Sequence, residues 1–361
     1  MNQKLLKIVF FLSIIPLIGF ASTNPGKGKY EKSKKINKEY SVNADALLDI
    51  NNKYGNVDVV SWKENRVVID VEIIVSGNNE KKVIEKLAEI TVDFENSTSK
   101  VSARTVFGKK SGWSSGNKNS NISFEVNYKV KMPVTNQADL KNDYGSITLN
   151  ELKVKATINC DYGKIVIGSL YHTNNDINID YTSNSTIELM NGGNINADYS
   201  GLTVEKAKAI DLNADYTSTT FENVEDLNFN CDYGNVKVGQ GNNIIGNGDY
   251  LSMEFGTVYK NLKIESDYGN IKVKQLMKGF ESVEINTDYT STKIGLDPSA
   301  SFNFMMNLSY AGFSYDGDNI NYTKKIEKNT SKHYEGHING ENSSSNIEIS
   351  SDYGGVKFYN N

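Results

Sequence analysis

The feature that most constrains this chain is a short motif, most often aspartate–tyrosine–glycine or aspartate–tyrosine–threonine, that recurs at a nearly constant spacing. Ten of its tyrosines follow one another at gaps of 17 to 21 residues, and outlying copies stand at Tyr54 and Tyr353. The ten are Tyr144, Tyr162, Tyr181, Tyr199, Tyr216, Tyr233, Tyr250, Tyr268, Tyr289 and Tyr310. Such a period indicates one supersecondary unit that is repeated and stacked on its own copies.

The sequence on either side of each tyrosine alternates between apolar and polar residues. In CDYGNVKV at 231–238, Lys237 separates Val236 from Val238, and Phe229 stands four residues before the tyrosine. Alternation with period two on both sides of a turn is typical of a strand–turn–strand unit.

A mainly β fold follows, and two architectures fit it. A β-solenoid, or β-helix, winds one unit of about 18 residues per coil and brings equivalent residues within ~4.8 Å of each other. A repeated hairpin meander is the alternative, with YGNV as its tight turn. We favour the solenoid, because stacking each position on its own copy explains why each position keeps one residue type.

The N-terminus has the pattern of a secretory signal peptide over residues 1–21, in which Lys4 and Lys7 precede or begin an apolar segment. Residues 22–43 are polar and rich in lysine, and we expect a flexible linker there. No later stretch reaches the length of a membrane span, so no transmembrane segment is predicted. The sequence predicts an exported protein, whether periplasmic, cell-surface or extracellular.

The rest of the chain divides into two parts. Residues 44–135 are predicted to form a small α+β cap with one helix near 79–90, because Asn79 can cap a segment whose apolar residues lie on one face. Residues 136–361 carry the β-strand repeats, interrupted by a polar and irregular insertion at 316–348. A cap is expected because the end of a stack of strands exposes unpaired edges.

The tyrosines from Tyr144 to Tyr289 are expected to point inward and to stack as a structural ladder. Apolar residues lie in phase with them, four and two positions earlier, which favours the core over the surface. Exposed tyrosines that bind sugars are the alternative.

An aspartate precedes the tyrosine in ten of the twelve copies. Like charges directly opposed on neighbouring strands are destabilising, so we expect each carboxylate to accept backbone N–H groups of its own turn. Divalent cations that bridge the column are the alternative. Their ligands would be Asp143, Asp161, Asp180, Asp198, Asp215, Asp232, Asp249, Asp267 and Asp288.

The sequence contains no arrangement typical of catalysis. Repeated carboxylates in equivalent surroundings lack the asymmetry that separates a general acid from a base. His333 and His337 fall beside Gly336 in a segment that we expect to be a loop, which argues against a zinc site. Cys160 and Cys231 lie four units apart, roughly 19 Å by strand spacing, so we expect them to be free and buried. No enzyme activity and no cofactor are predicted.

The charge balance bears on possible partners. The chain has 39 basic and 44 acidic residues, which disfavours binding to nucleic acid. Trp113 stands in the polar segment KKSGWSSGNKN and is a candidate for a binding loop, although we favour a mobile loop without a partner.

The motifs together resemble those of the bacterial putative-adhesin family. The resemblance is carried by YGNVDVVSW at 54–62, YKVKMPVTNQADLKNDYGSITL at 128–149, the series of aspartate–tyrosine units and SSDYGGVKF at 350–358. It covers nearly the whole chain after the signal peptide. It implies an exported domain of unknown function built from β-strand repeats.

The sequence therefore predicts a non-enzymatic, adhesin-like binding or structural module of the cell envelope or surface. Its partner would be a glycan or a protein of the envelope or surface. A periplasmic protein that senses the state of the envelope is the first alternative. A polysaccharide-acting β-helix enzyme is the second, although the sequence lacks the asymmetric cluster of charged residues that it would need.

Overall fold

The computed structural model describes residues 28–108, 122–341 and 343–360. The predicted signal peptide and Trp113 lie outside the described residues. The protein is mainly β, with 72% of the described residues in strands and 3% in helix. Among the described residues, no helix is both long and apolar enough to cross a membrane.

The first part of the chain combines antiparallel strands with one helix. Its elements are β1 (Tyr30–Ser41), β2 (Leu47–Lys53), β3 (Val57–Trp62), β4 (Arg66–Gly77), α1 (Glu80–Glu89), β5 (Ile90–Asn96), β6 (Lys100–Phe107) and β7 (Ile122–Pro133). Strand β4 pairs antiparallel with β1 and β7, and β5 pairs antiparallel with β6. The side chain of Asn79 accepts the backbone N–H of Lys82 and so caps α1, whose Val83 is buried.

Strand β1 corrects the prediction of a flexible linker over residues 22–43. Its twelve residues pair along their whole length with β4. Ile36 and Tyr40 pack against the core, while Lys35, Asn37 and Glu39, which alternate with them, face solvent. The linker was predicted from the high lysine content of the segment, although its residues alternate with period two, as in a strand with one buried side.

The repeats occupy the remainder of the chain. Their elements are β8 (Gln137–Asp143), β9 (Ser146–Leu152), β10 (Ala156–Asp161), β11 (Lys164–Leu170), β12 (Asn175–Asp180), β13 (Ser185–Asp198), β14 (Gly201–Asp215), β15 (Ser218–Asp232), β16 (Gly234–Asn247), β17 (Leu251–Asp267), β18 (Asn270–Leu276), β19 (Ser282–Asp288), β20 (Ser291–Leu296), β21 (Phe302–Ser309), β22 (Phe313–Tyr315), β23 (Ile320–Glu327), β24 (Ser331–Ile338), β25 (Asn346–Asp352) and β26 (Val356–Asn360).

Strands of successive repeats pair in parallel, and equivalent residues lie side by side. Ala197, Ala214 and Cys231, for example, are consecutive neighbours across β13, β14 and β15. Within the described ranges, antiparallel pairs occur only near the two ends of the sheet. Hairpin pairing, which the meander alternative requires, therefore does not join one repeat to the next.

The core is built from the side chains that alternate inward on both sides of each tyrosine. In the repeat of Tyr216, Leu212, Ala214, Thr219 and Phe221 are all buried. The column of buried residues two positions before each tyrosine, to which Ala214 belongs, also contains the two cysteines. Cys160 and Cys231 are buried and free, and burial raises the pKa of each thiol to about 12.

The order of repeats in space differs from their order in the chain at both ends. Strand β2, with the first repeat, pairs directly with β8 although the cap lies between them in sequence. At the other end, β25 pairs in parallel with both β19 and β21. The last repeat of the sequence is thus inserted between the two that precede it.

The predicted irregular insertion at 316–348 contains two regular strands. Strand β24 pairs antiparallel with β21 and with β23. Its Tyr334 and Ile338 are buried, so the hairpin covers the edge that β21 would otherwise expose. His333 and His337 therefore lie in a strand, where His333 contacts Asn307 and Glu335.

Candidate functional site

The tyrosine of each repeat forms the turn itself. All twelve adopt a left-handed backbone, with φ between 50° and 61°, and only Asn184 and Asn339 share this feature among the other described non-glycine residues. A bulky residue in this region is an outlier that costs about 1–2 kcal/mol.

Backbone hydrogen bonds continue through these strained residues. The N–H of Tyr162 donates to the carbonyl of Asp180 at 3.0 Å, and that of Tyr199 donates to Asp215 at 3.0 Å. The same bond links eleven of the twelve tyrosines to the neighbouring repeat, and the N–H of Tyr310 donates to Thr330, so the strained residues lose no pairing. These bonds and the stacking of the rings offset the strain.

The twelve rings form one continuous stack, which we call the tyrosine ladder. Its order in space is Tyr54, Tyr144, Tyr162, Tyr181, Tyr199, Tyr216, Tyr233, Tyr250, Tyr268, Tyr289, Tyr353 and Tyr310. Neighbouring ring centroids lie 4.7–5.0 Å apart, with planes within 9° of parallel. Offset stacks of this kind add about 0.5–1.5 kcal/mol per pair.

The ladder lies on the surface, so the expectation of inward tyrosines is wrong. From Tyr144 onward the side chains are half exposed, as at Tyr181 with 51%. The left-handed turn breaks the alternation, because the residue two positions earlier points inward and the tyrosine does not. Each ring covers its neighbour's face, which leaves ring edges for solvent and removes the open faces on which sugars stack.

The two ends of the ladder differ. Phe107 and Phe124 pack edge-on against Tyr54, with centroids 5.9 and 5.1 Å away. At the other end Tyr310 stacks on Tyr353 alone and is 60% exposed. The aromatic cluster of the cap therefore closes the first end of the stack.

The residue after the tyrosine is glycine, threonine or serine in ten of the twelve repeats, and close packing against the previous repeat accounts for the glycines. A Cβ on Gly163 would stand 1.9 Å from the carbonyl oxygen of Gly145 in the previous repeat. Where this residue is threonine or serine, its hydroxyl forms hydrogen bonds. The hydroxyl of Thr217, for example, donates to the backbone carbonyl of Ala197 at 2.8 Å. Ser200 in turn donates its N–H to that hydroxyl.

The aspartates form a column beside the ladder, and their partners differ from those predicted. The N–H of Asp249 donates to Oδ1 of Asp232 at 2.8 Å, and the N–H of Asp232 donates to Oδ1 of Asp215 at 3.2 Å. Each of these carboxylates thus bonds to the next repeat, whereas the sequence suggested a bond within its own turn.

Electrostatic repulsion within the column remains visible. Burial raises the pKa of Asp161 and Asp180, and neighbouring carboxylates raise both further. At the first end Lys53 takes the place of an aspartate and pairs with Asp143 at 2.6 Å. No group of three or more histidine, cysteine or carboxylate side chains is arranged for a metal ion in the described part of the chain.

The aspartate column belongs to a wider surface that we call the acidic face. It consists of the outward residues one, three and five positions before each tyrosine, which the strand register aligns. Its seventeen carboxylates and three lysines give it a formal charge of −14, against −5 for the whole chain. The carboxylates are Asp49, Asp139, Asp143, Asp161, Asp176, Asp180, Asp198, Asp211, Asp215, Asp232, Asp249, Glu265, Asp267, Glu284, Asp288, Glu348 and Asp352, and the lysines are Lys53, Lys141 and Lys263.

Amide side chains run along the middle of the acidic face. Asn196 donates to Asn178 at 2.8 Å, and Asn178 donates to Asn159 at 3.0 Å. They line a groove of about 510 Å³ whose floor includes Leu212 and Phe229. Stacked amides of this kind stabilise a parallel sheet, as in other cross-β arrangements.

A second surface lies on the other side of the ladder, and we call it the lysine face. It consists of the outward residues two and four positions after each tyrosine in the repeats from Tyr233 to Tyr353. In one of its columns Lys237, Glu254, Lys272, Lys293 and Lys357 are consecutive neighbours. Sequence analysis missed it, although the signal was present in NVKV, NIKV, STKI and GVKF.

Comparison with known proteins gives few leads. No protein-family model matches the chain, and no curated protein is significantly similar to it. Solved structures are similar at low identity. A putative cell adhesion protein from Clostridium sporogenes is 11% identical, with 91% of this chain and 100% of that chain covered and a TM-score of 0.18.

Two further structures come from Parabacteroides distasonis. A putative adhesin is 11% identical, with 72% of this chain and 96% of that chain covered and a TM-score of 0.36. A putative lipid binding protein is 10% identical, with coverages of 91% and 97% and a TM-score of 0.32. The adhesin names agree with the family that the repeat motifs resemble. The function must be argued from this chain's own residues.

Proposed function

We propose that this chain is an exported, non-enzymatic β-solenoid that acts as an adhesin-like binding or structural module of the cell envelope or surface. The parallel, in-register pairing of successive repeats supports a solenoid, because equivalent residues recur once per strand spacing. The eleven steps of the tyrosine ladder, each 4.7–5.0 Å, give it a length of about 54 Å.

The observation that carries the binding role is the separation of charge across this length. The acidic face follows the whole ladder, and the lysine face lies on the other side of the exposed ladder in the repeats from Tyr233 to Tyr353. Like charges aligned along a parallel sheet weaken it. A surface of this composition therefore reduces the stability of the fold, and a role in recognition explains why the chain has it. A long, repetitive and polar surface suits an extended partner, either a glycan or a protein of the envelope.

The repetition of the aspartate column supports a role without catalysis. Five of its carboxylates share one geometry, in which each accepts the backbone N–H of the aspartate in the next repeat. A general acid and a general base need environments that separate their pKa values. The repeat gives these five carboxylates nearly the same environment.

The purified exported protein should bind intact cells, envelope extracts or members of a glycan array, and it should release no reducing sugar from any glycan. Localisation is checked in parallel by protease treatment of whole cells. A complete lack of binding by folded protein would overturn the binding role. Release of reducing sugar would overturn the non-enzymatic assignment.

A further inference from the structure

The lysine face contains a cluster of like charges that the fold does not neutralise. Lys272 lies beside Lys293, and Lys293 lies beside Lys357, in parallel and in register. Neighbouring strands bring such residues within ~4.8 Å. Positive charges directly opposed in this way destabilise a sheet.

The nearby carboxylates are already engaged with the neighbours of the central pair. Glu254 binds Lys274 at 2.5 Å, and Asp316 binds Lys357 at 2.7 Å. Lys272 and Lys293 are exposed and make no ion pair with any residue in the described ranges. Two adjacent ammonium groups are thus left for a ligand.

The surroundings of this pair suit a sugar chain. The adjacent outward column presents Ser252, Asn270 and Ser291, in which Asn270 donates to the hydroxyl of Ser252 at 3.2 Å. On the other side the ring of Tyr359 lies against Gly295, where an added Cβ would come within 3.0 Å of it. Hydroxyl and amide groups bind sugar hydroxyls, and an aromatic ring packs against the sugar's C–H groups.

We propose that the lysine face binds an extended, carboxylate-bearing polysaccharide, a polyuronate, through Lys272 and Lys293, with Lys237 and Lys357 of the same column flanking them. This assignment rests on the binding role proposed above and names its ligand. A chain of linked uronic acids carries one carboxylate per sugar, and the lysines of the column recur across successive strands. The polymer would therefore lie across the strands, parallel to the ladder. The acidic face, across the ladder, would repel the polyuronate and so restrict its binding to the lysine face.

The test is calorimetric titration of the full exported protein with an oligogalacturonate and with a neutral glucan of equal length. We expect binding to the oligogalacturonate alone, and weaker binding as salt is added. The double variant K272Q/K293Q should weaken binding about tenfold, since two exposed ion pairs at up to about 1 kcal/mol each are lost. Its melting temperature should be unchanged or higher, because the repulsion is removed.

Two single variants serve as controls. Lys164→Gln removes an exposed lysine from the other half of the sheet and should leave affinity unchanged. Glu254→Gln removes the one carboxylate of the column and should tighten binding about threefold. An affinity that is the same in K272Q/K293Q as in the natural protein would overturn the proposal.

The remaining outcomes separate this proposal from the binding role. If K272Q/K293Q still binds cells or envelope extracts while the natural protein ignores polyuronates, the ligand is wrong and the binding role stands. Binding to anionic lipid vesicles or polyphosphate as tight as to the oligogalacturonate would also contradict a polyuronate site. If the natural protein binds none of these, both proposals fail.

Discussion

At the scale of the residue, the least expected feature is a tyrosine in a left-handed turn at every repeat. The motif places a bulky aromatic where glycine would be unstrained. Stacking explains the choice, because glycine would remove the strain and also the ring. The strain at Tyr216 is thus balanced by its contacts with Tyr199 and Tyr233, each at 4.9 Å.

Replacing one ring should reveal both contributions. Tyr216→Ala loses two stacked contacts and keeps a side chain at positive φ, so the free energy of unfolding should fall by about 1–3 kcal/mol. Tyr216→Gly loses the same contacts but relieves the strain, and should recover about 1 kcal/mol of this loss. Denaturant unfolding of both variants measures the difference. A glycine variant less stable than the alanine variant would contradict this balance.

A second residue-level prediction concerns the glycine after the tyrosine. A Cβ at Gly163 would stand 1.9 Å from a backbone carbonyl oxygen, so Gly163→Ala should destabilise the protein by about 1–3 kcal/mol. Gly201 is the matched control, since the nearest atom to its added Cβ is 3.7 Å away. Gly201→Ala should change the melting temperature little. Equal effects at the two positions would mean that close packing of repeats is not what requires glycine.

At the scale of the element, each column of side chains depends on the register between parallel strands. The register explains why Asp161, Asp180 and Asp288 have raised pKa values: desolvation comes first, followed by the carboxylates of the adjacent repeats. The strand register therefore keeps these carboxylates close together although they repel one another, which reduces the stability of the sheet.

The sign of the pH dependence follows from these shifts. A carboxylate whose pKa is higher in the folded than in the unfolded state stabilises the fold below its unfolded pKa, near 4. That contribution is lost as pH rises through the folded pKa. The lysine partners of Asp176 and Glu254 lower the pKa of each of these carboxyls. The stability that these two groups contribute is lost only below their unfolded pKa, near 4. The melting temperature should therefore rise on acidification from pH 7 towards the unfolded pKa near pH 4.

The matched variant is Asp180→Asn, which keeps an acceptor oxygen and removes the charge. It should melt higher than the natural protein at pH 7 and gain less on acidification. Asp45→Asn, at an exposed carboxylate in the loop before β2, should leave the profile unchanged. A profile for Asp180→Asn that matches the natural one would show that repulsion in the column does not limit stability.

Much of this element-level order could be predicted from the sequence. Constant residue types at equivalent positions predicted in-register columns, and the pairing of Asn178 with Asn196 is an example. The outward direction of the tyrosines could not be predicted, because alternation cannot be counted through a left-handed residue. Strand β1 was missed since its lysines outweighed Ile36 and Tyr40. The position of β25 between β19 and β21 could not be predicted from the sequence pattern, because the repeats are so alike that each could pair with any other.

At the scale of the whole molecule, parallel stacking produces two faces of opposite charge along one axis. The acidic face carries a formal charge of −14, whereas the lysine face concentrates cations in the repeats from Tyr233 to Tyr353. Neither face exists in a single repeat. The proposed binding role therefore depends on the way in which repeats stack, and on that alone.

The most direct test of this stacking is a pair of distances between spin labels on outward positions of one column. Four strand spacings separate Thr148 from Thr220, and eight separate Thr148 from Lys293. At ~4.8 Å per spacing we predict backbone separations of about 19 and 38 Å. A meander places two strands in each repeat, so separations of about 38 and 77 Å would contradict the account.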